Sequence, residues 1–294
     1  MKKISGSSRE KRFAYALISP TVILFILVTL YPLIYSLQLS FQSWNLLKPS
    51  LGKEFVGLAN YLEIFKDPIF WGALKTTLSF TVGTVVLQFM IGLGVALILN
   101  REFTGKNVAR TIVLLPLLIT PVIIGLMWRW LLNAETGLIN YLLGLVGIYP
   151  KPWLGTPSLA LLTVVLVDVW HLTPFTVLVV LAGLQGIDPE LYEAATIDGA
   201  SQGQRFRFLT IPLLSPVLLV ILLLITMSAF RAFDKIFALT QGGPGRATEV
   251  LGYLVYRVSF KEFYMGQGAA LSFVMLLLVL TIALVYIRFL PEPE

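Results

Sequence analysis

The chain reads as long apolar runs divided by short polar stretches. Runs at 13–39, 71–99, 111–132, 159–184, 209–230 and 266–290 each match or exceed the ~20 residues that cross a hydrocarbon core. They predict six transmembrane helices and an all-α polytopic membrane protein. The first run follows a basic segment holding Lys2, Lys3, Arg9, Lys11 and Arg12. It is longer than the ~7–15-residue core of a signal peptide and no small-residue cleavage site follows, so it reads as a retained span. Pro116, Pro121, Pro174, Pro212 and Pro216 lie inside or at the edge of apolar runs, where the backbone groups they free must find partners. Gly83, Gly92 and Gly94 in the second run permit close helix approach.

The polar stretch 188–216 is the most structured interruption. Asp188 is a good N-cap, Pro189 fits the first helical position and Glu190 suits the first turn. Gly199 then ends the short helix. A second amphipathic piece, 201–209, carries Arg205 and Arg207 into the next run. Two readings fit: a helical hairpin on the membrane surface, or a docking knob for a soluble partner.

Composition agrees with the pattern. Of 294 residues 57% are hydrophobic and 13% charged, against about 25% charged in ordinary domains. The absence of cysteine rules out disulfides and thiolate metal sites. The net charge of +6 fits basic flanks facing lipid headgroups. No interleaved basic and aromatic platform suggests nucleic acid. With the amino terminus inside, basic residues divide evenly between the two sides, but the inner segments are shorter and denser in charge. Trp44, Trp71, Trp128, Trp130 and Trp153 all fall on the outer side of that arrangement, as an interfacial belt would place them. Arg129, between two of them, reads as a snorkelling residue.

Glu193-Ala194-Ala195, followed after three residues by Gly199 and then by Leu209, Ile211 and Pro212, resembles the EAA loop of binding-protein-dependent ABC importer permeases. Family members usually carry Ile, Leu and Pro at the last three positions. Leu239-Thr240-Gln241-Gly242-Gly243-Pro244 followed by Thr248-Glu249 is similar to a segment of carbohydrate-importing permeases, with the usual glycine absent at Gln241. Phe55-Val56-Gly57-Leu58 with Asn60-Tyr61, and Trp170 with Thr173-Pro174-Phe175, agree. The resemblance spans 13–290 and is strongest to maltose- and trehalose-type permease subunits, without the large periplasmic insertion some of them carry.

That resemblance implies a methionine-importer-permease-like bundle with cytoplasmic tails at 1–12 and 291–294, a transmembrane domain at 13–290 and a coupling segment at 188–212. It implies a multi-pass protein of the cytoplasmic (inner) membrane with both termini inside. Glu190, Tyr192, Glu193, Ala194, Ala195, Asp198 and Gly199 would couple to an ATPase, with Glu193 pairing to a basic residue in its cleft. The implied partners are a second homologous permease subunit, two ATPase subunits, an extracytoplasmic sugar-binding protein and membrane lipid. ATP and Mg would sit on the ATPase, leaving no cofactor in this chain.

Asp168 and His171, the only histidine, share a helical face inside the fourth run. Three readings stay open: a structural pair, the polar rim of a sugar pathway, or a proton relay. By the resemblance, pathway positions are Asp168, His171 and Phe175 before the coupling segment and Ser228, Ala229 and Ala232 after it, and Arg231 and Asp234 join them as candidates by position. Arg231, Asp234 and Lys235 read first as a solvated interfacial cluster, with a polar contact to substrate or docking protein as the alternative. No phosphate-binding glycine loop ending in Lys-Ser or Lys-Thr is present, nor an HExxH motif, so the chain is not expected to be an enzyme or to hold a metal. The rival function is a proton-coupled secondary sugar transporter using Asp168 and His171; a membrane scaffold without a pathway is a third.

Overall fold

A computed structural model describes residues 8–289. The expected tail at 291–294 and most of the one at 1–12 lie outside the described residues. The helices in chain order are α1 (Ser8–Phe25), α2 (Tyr31–Ser40), α3 (Ala59–Lys66), α4 (Pro68–Leu99), α5 (Lys106–Leu114), α6 (Pro121–Leu131), α7 (Leu138–Leu145), α8 (Pro157–Gln185), α9 (Pro189–Ile197), α10 (Gln202–Arg205), α11 (Ile211–Phe230), α12 (Asp234–Leu239), α13 (Leu251–Tyr256) and α14 (Met265–Ile287). Five segments are long and apolar enough to cross a membrane: Tyr15–Ser40, Pro68–Leu99, Pro157–Gln185, Gln202–Phe230 and Met265–Ile287. A sixth is formed by Lys106–Leu118 with Pro121–Leu131, two pieces bent by 99°.

That bend corrects the expectation of a continuous helix over 111–132. Pro116 sits in a short 3₁₀ turn, and Pro121 opens the second piece. Thr120, which precedes Pro121, is extended at φ −67° and ψ 146°. A residue before proline is pushed out of the helical region, so the two prolines divide the span. Two other prolines are absorbed locally. A proline cannot bond the carbonyl four residues back. For Pro216 that carbonyl belongs to Pro212, and Ser215 Oγ donates to it at 2.8 Å. Pro20 frees the carbonyl of Ala16, and Ser19 Oγ donates to it at 3.0 Å. The preceding serine supplies what the ring removes.

The chain divides into two compact units. Among the described residues the first comprises 8–66 and 255–274. It holds a two-stranded antiparallel ribbon, β1 (Gln42–Ser43) with β2 (Glu54–Phe55), pairing Gln42 with Phe55. Asn60 Nδ2 donates to the carbonyls of Ser40 and Gln42 at 2.8 and 3.0 Å. The hydroxyls of Tyr61 and Ser40 meet at 2.7 Å. Met265 N donates to the carbonyl of Trp44 at 2.9 Å. The Asn60-Tyr61 pair singled out in the sequence is therefore a clamp on the chain leaving α2.

Among the described residues the second unit comprises 67–254 and 275–289. Its core is α4 against α8, with α11 packed on both. Asp67 caps α4 by accepting from Ile69 N at 2.9 Å, and Pro68 takes the first helical position. At 32 residues α4 is about 48 Å long, more than the ~30 Å hydrocarbon core. Close approach depends on Gly92: a Cβ there would lie 2.5 Å from the Thr176 methyl. Gly83 faces Val165 at ordinary contact distance, and Gly94 faces nothing within 4 Å, so the close-packing role expected of all three falls on Gly92. Beside it Gln88 Nε2 donates to the Leu172 carbonyl and Thr176 Oγ1 at 3.1 and 3.0 Å. The Thr240–Glu249 signature folds on itself: Thr248 Oγ1 meets Thr240 Oγ1 at 2.7 Å and donates to the Gly243 carbonyl at 2.8 Å. Thr248 and Glu249 are buried, and Leu251 N then donates to Thr77 Oγ1 on α4 at 2.8 Å. This signature holds a loop onto the helix core.

Candidate functional site

Two places bring the singled-out residues together. The first is α9. Asp188 Oδ1 accepts from Glu190 N at 3.0 Å, so the expected cap forms. At the other end Gly199 has φ +77°. Ala200 N bonds the Ala195 carbonyl at 2.9 Å and Gly199 N bonds the Thr196 carbonyl at 3.1 Å. This is the paired closure that a left-handed glycine permits. Ser201 immediately opens the next helix with a capping box to Gln204.

Two bonds tie α9 to the base of the fifth span. Arg205 Nη1 donates to Thr196 Oγ1 at 2.7 Å, and the Tyr192 and Thr210 hydroxyls meet at 3.0 Å. The 201–209 piece is a single helical turn followed by a π turn at Phe206–Thr210 that runs straight into α11. Everything else on α9 faces outward. Glu190, Glu193, Ala194 and Asp198 are exposed and Ala195 is half-buried. Leu191 is 44% exposed and Ile197 86%, so the knob offers carboxylates and bare apolar groups side by side. Tyr192 alone of the seven coupling candidates points its polar atom into the protein. On the connection before α5, Glu102 forms an exposed pair with Lys106 at 2.7 Å. The Lys106 ammonium holds the Glu102 carboxyl below its usual range, first by hydrogen bond and then by charge.

The second place lies between α8, α12 and the break in the third span. Asp168 and His171 are 2% and 3% exposed. They share a face, as expected, yet their common partner is Lys235 on α12. Lys235 Nζ forms an ion pair with Asp168 Oδ1 and lies 3.2 Å from His171 Nδ1. His171 Nε2 lies 3.1 Å from the Ile119 carbonyl, in the extended break before Pro121. The proton positions follow. A carbonyl only accepts, so Nε2 carries the hydrogen; an ammonium only donates, so Nδ1 is bare. The imidazole is neutral and satisfies a backbone group that the broken span exposes.

The solvated cluster expected at Arg231, Asp234 and Lys235 is thereby corrected. Arg231 and Asp234 are exposed, but Lys235 is 8% exposed. Ile236, Ala238 and Leu239 bury α12 against α6, where Gly125 receives Ala238 at a spacing no side chain would allow. The lysine is carried in with them. Removing one member of a buried pair costs about 3–5 kcal/mol, because the other charge is stranded. Sequence reasoning missed Lys235 by judging it from Arg231 and Asp234. The signal was the apolar run that follows it.

A cavity of about 380 Å³ opens beside the pair. Asp168, His171, Ser228, Arg231, Ala232 and Asp234 line it together with Lys235. Phe175 does not: it packs on the apolar cluster of Val177, Leu181 and Leu218. Ala229 is buried and lies outside the lining. Asp168 Oδ2 is buried without a hydrogen-bond partner. An unfilled acceptor of this kind costs about 1–3 kcal/mol.

A family profile described as "Binding-protein-dependent transport system inner membrane component" matches residues 88–291. The trehalose/maltose transport system permease protein MalF of Thermococcus litoralis is 40% identical over 280 residues, 95% of this chain and 94% of that protein. The trehalose transport system permease protein SugA of Mycobacterium tuberculosis is 38% identical over 280 residues, 95% of this chain and 89% of that protein. Among solved structures, a bacterial alginate ABC transporter in complex with an alginate pentasaccharide-bound periplasmic protein superposes with a TM-score of 0.82 at 25% identity, covering 95% of this chain and 93% of that one. An inward-facing methionine ABC transporter shares the fold, with a TM-score of 0.58 at 19% identity over 76% of this chain and 97% of that one. The six-span permease fold expected from the sequence is the fold observed. This chain belongs to the family of binding-protein-dependent transport system inner membrane components, and as an ABC transporter permease subunit it is a multi-pass membrane protein and not itself an enzyme.

Proposed function

We propose that this permease imports a neutral di- or oligosaccharide of the trehalose or maltose class, driven by ATP hydrolysis on partner subunits. The sugar class is supported by the names of the relatives and by a polar cavity at Asp168 whose lining carries two acidic and two basic side chains. The partners are a second homologous permease subunit, two ATPase subunits that hold ATP and Mg, and an extracytoplasmic sugar-binding protein. Residues 13–290 act as one transmembrane domain in the cytoplasmic membrane, with both termini and the 188–212 segment inside.

The observation that carries the coupling role is α9 itself: capped at both ends, tied to the fifth span through Tyr192 and Arg205, and otherwise exposed. Glu190, Glu193 and Asp198 present charge to a basic cleft, Ala194 and Ala195 allow close approach, and Gly199 closes the helix. Closure of the ATPases then pushes on α9, and its two ties pass the motion to the base of α11. Asp168, His171, Ser228, Arg231, Ala232 and Asp234 border the sugar pathway, while Phe175 and Ala229 shape it through packing. The rival proton relay would have to protonate His171 at Nδ1, the nitrogen that accepts from the Lys235 ammonium, and so break that contact. The test is uptake of radiolabelled trehalose and maltose into proteoliposomes holding the full complex with its receptor. ATP-dependent, vanadate-sensitive uptake is expected; uptake by this chain alone, driven by a proton gradient, refutes the proposal.

A further inference from the structure

The loop between α6 and α8 turns its apolar side outward. From Thr136 to Pro150 it carries no charged residue, and Glu135 and Lys151 stand at its two ends. Helix α7 lies inside this stretch. Leu138, Tyr141, Leu142 and Leu145 have the i, i+3, i+4 and i+7 spacing of one helix face, and all four are exposed, Leu145 at 67%. Val146 and Tyr149 extend the patch, Tyr149 at 88%. Asn140, the one amide side chain of α7, takes the opposite side and is buried.

That orientation is locked by hydrogen bonds. Asn140 Nδ2 donates to the carbonyls of Ala134 and Lys151, both at 3.0 Å. Asn140 Oδ1 accepts from Lys151 N at 3.1 Å and from Trp153 Nε1 at 2.8 Å. Upstream, Asn133 Oδ1 accepts from Glu135 N and Thr136 N, both at 3.0 Å. Gly137 is buried and leaves no room for a side chain, since a Cβ there would lie 2.4 Å from the Asn133 carbonyl. Rolling α7 over to hide its leucines would orphan the buried amide of Asn140. The loop therefore has a polar inside and an oily outside, the reverse of a helix on a water-soluble protein.

Water, protein and lipid are the candidate occupants of that outside. A contiguous apolar patch is not left to water. A protein interface carries about one hydrogen bond per 100–200 Å², and the exposed side chains from Leu138 to Pro150 offer only two tyrosine hydroxyls. Lipid asks for no hydrogen bonds. At eight residues α7 is about 12 Å long, far short of the ~30 Å hydrocarbon core, so it lies along the bilayer and does not cross it. Rings of the kind that gather at headgroups flank the patch: Tyr141, Tyr149, Trp153 and Trp130, the last 79% exposed. Lys151 holds its ammonium over the Trp153 ring at 5.8 Å, with its charge at the edge of the oily stretch. The span Pro157–Gln185 begins six residues after Lys151, so the patch sits where a membrane span meets the headgroups.

We propose that α7 is an interfacial anchor whose partner is the lipid leaflet at the membrane face opposite α9. Leu138, Leu142 and Leu145 sink ~5–10 Å into the boundary between headgroups and acyl chains. The broken third span ends at Leu131, shortly before α7 begins at Leu138. Its 99° bend deprives α6 of a continuous helix to set its height, and the anchor sets it instead. The anchor does not depend on which solute the permease moves.

The chain has no cysteine, so a single introduced one gives a unique nitroxide label on it. L138C, L142C and L145C, with E135C in the polar turn as the aqueous reference, are labelled one at a time in the full transporter in liposomes, its other subunits freed of reactive cysteines. Collision with oxygen, which concentrates in lipid, is compared with collision with a water-soluble nickel chelate. The expected result at all three leucine positions is an oxygen-to-nickel ratio several-fold above that of E135C, at a depth of ~5–10 Å. High nickel collision puts α7 in water, and low collision with both reagents puts it under another protein; either result overturns the anchor. Where a labelled variant fails to assemble, the wild-type transporter decides. A bilayer-soluble diazirine photolabel should mark 138–149, and marking of the spans with 138–149 left blank overturns the anchor.

Discussion

Gly199 offers the cleanest separation of coupling from folding. Its φ is +77°, and a Cβ placed there meets nothing within 4 Å. Substitution therefore creates no clash, and its whole cost is conformational. A non-glycine residue in the left-handed region pays roughly 1–2 kcal/mol, with asparagine paying least and β-branched residues most. The segment that bears this cost is α9, nine residues long and too short to be stable alone. The penalty acts on the closed helix end, where Ala200 N and Gly199 N bond back to Ala195 and Thr196. A change of that size shifts a local equilibrium by ~5–30-fold. We expect G199N to transport near the wild-type rate, G199A to lose several-fold, and G199V or G199D to lose most uptake, all at normal abundance in the membrane. The assay is a paired one in proteoliposomes, uptake against ATP hydrolysis, and the expected signature is a falling ratio of sugar moved to ATP consumed. If G199V, normally inserted, moves sugar at the wild-type ratio, α9 does not transmit the work and the coupling assignment is wrong.

Three further outcomes are expected. K235M should lower the detergent melting temperature sharply, by a destabilisation of about 3–5 kcal/mol, and D168N/K235M should recover most of it; equal melting of K235M and wild type would show the pair to be dispensable. G92A should destabilise by about 1–3 kcal/mol because the new Cβ presses on the Thr176 side chain, and T176S, which removes only the methyl, should restore part of the loss in the same melting assay. N60A should cost about 1–3 kcal/mol by orphaning the carbonyls of Ser40 and Gln42, seen as earlier unfolding, while a K106A change at the exposed Glu102 pair should leave melting unchanged.

Local chemistry was readable and long-range pairing was not. The apolar runs announced five unbroken spans because length and hydropathy are properties of a segment. The cap at Asp188 and the stop at Gly199 were legible for the same reason. The third span was misjudged although Pro116 and Pro121 were noticed, because a proline pair is compatible with a kink or with a 99° reversal, and the packing of α12 against α6 decides which. Lys235 was misjudged because its burial depends on Asp168, contributed by another helix. Phe175 shares a helix with the cavity residues but turns to the Val177 cluster, a matter of helical phase that the motif alone does not carry.

The single histidine of the chain is also a built-in reporter. With one imidazole in 294 residues, nitrogen-15 labelling of histidine yields one ring-nitrogen pair, one site hydrogen-bearing and one bare. Any step of the transport cycle that pulls the lysine away, or lets the broken span swing free, changes the magnetic environment of one nitrogen and spares the other. The same residue that knits three segments together can thus be listened to, without any added probe, to learn which of them moves first.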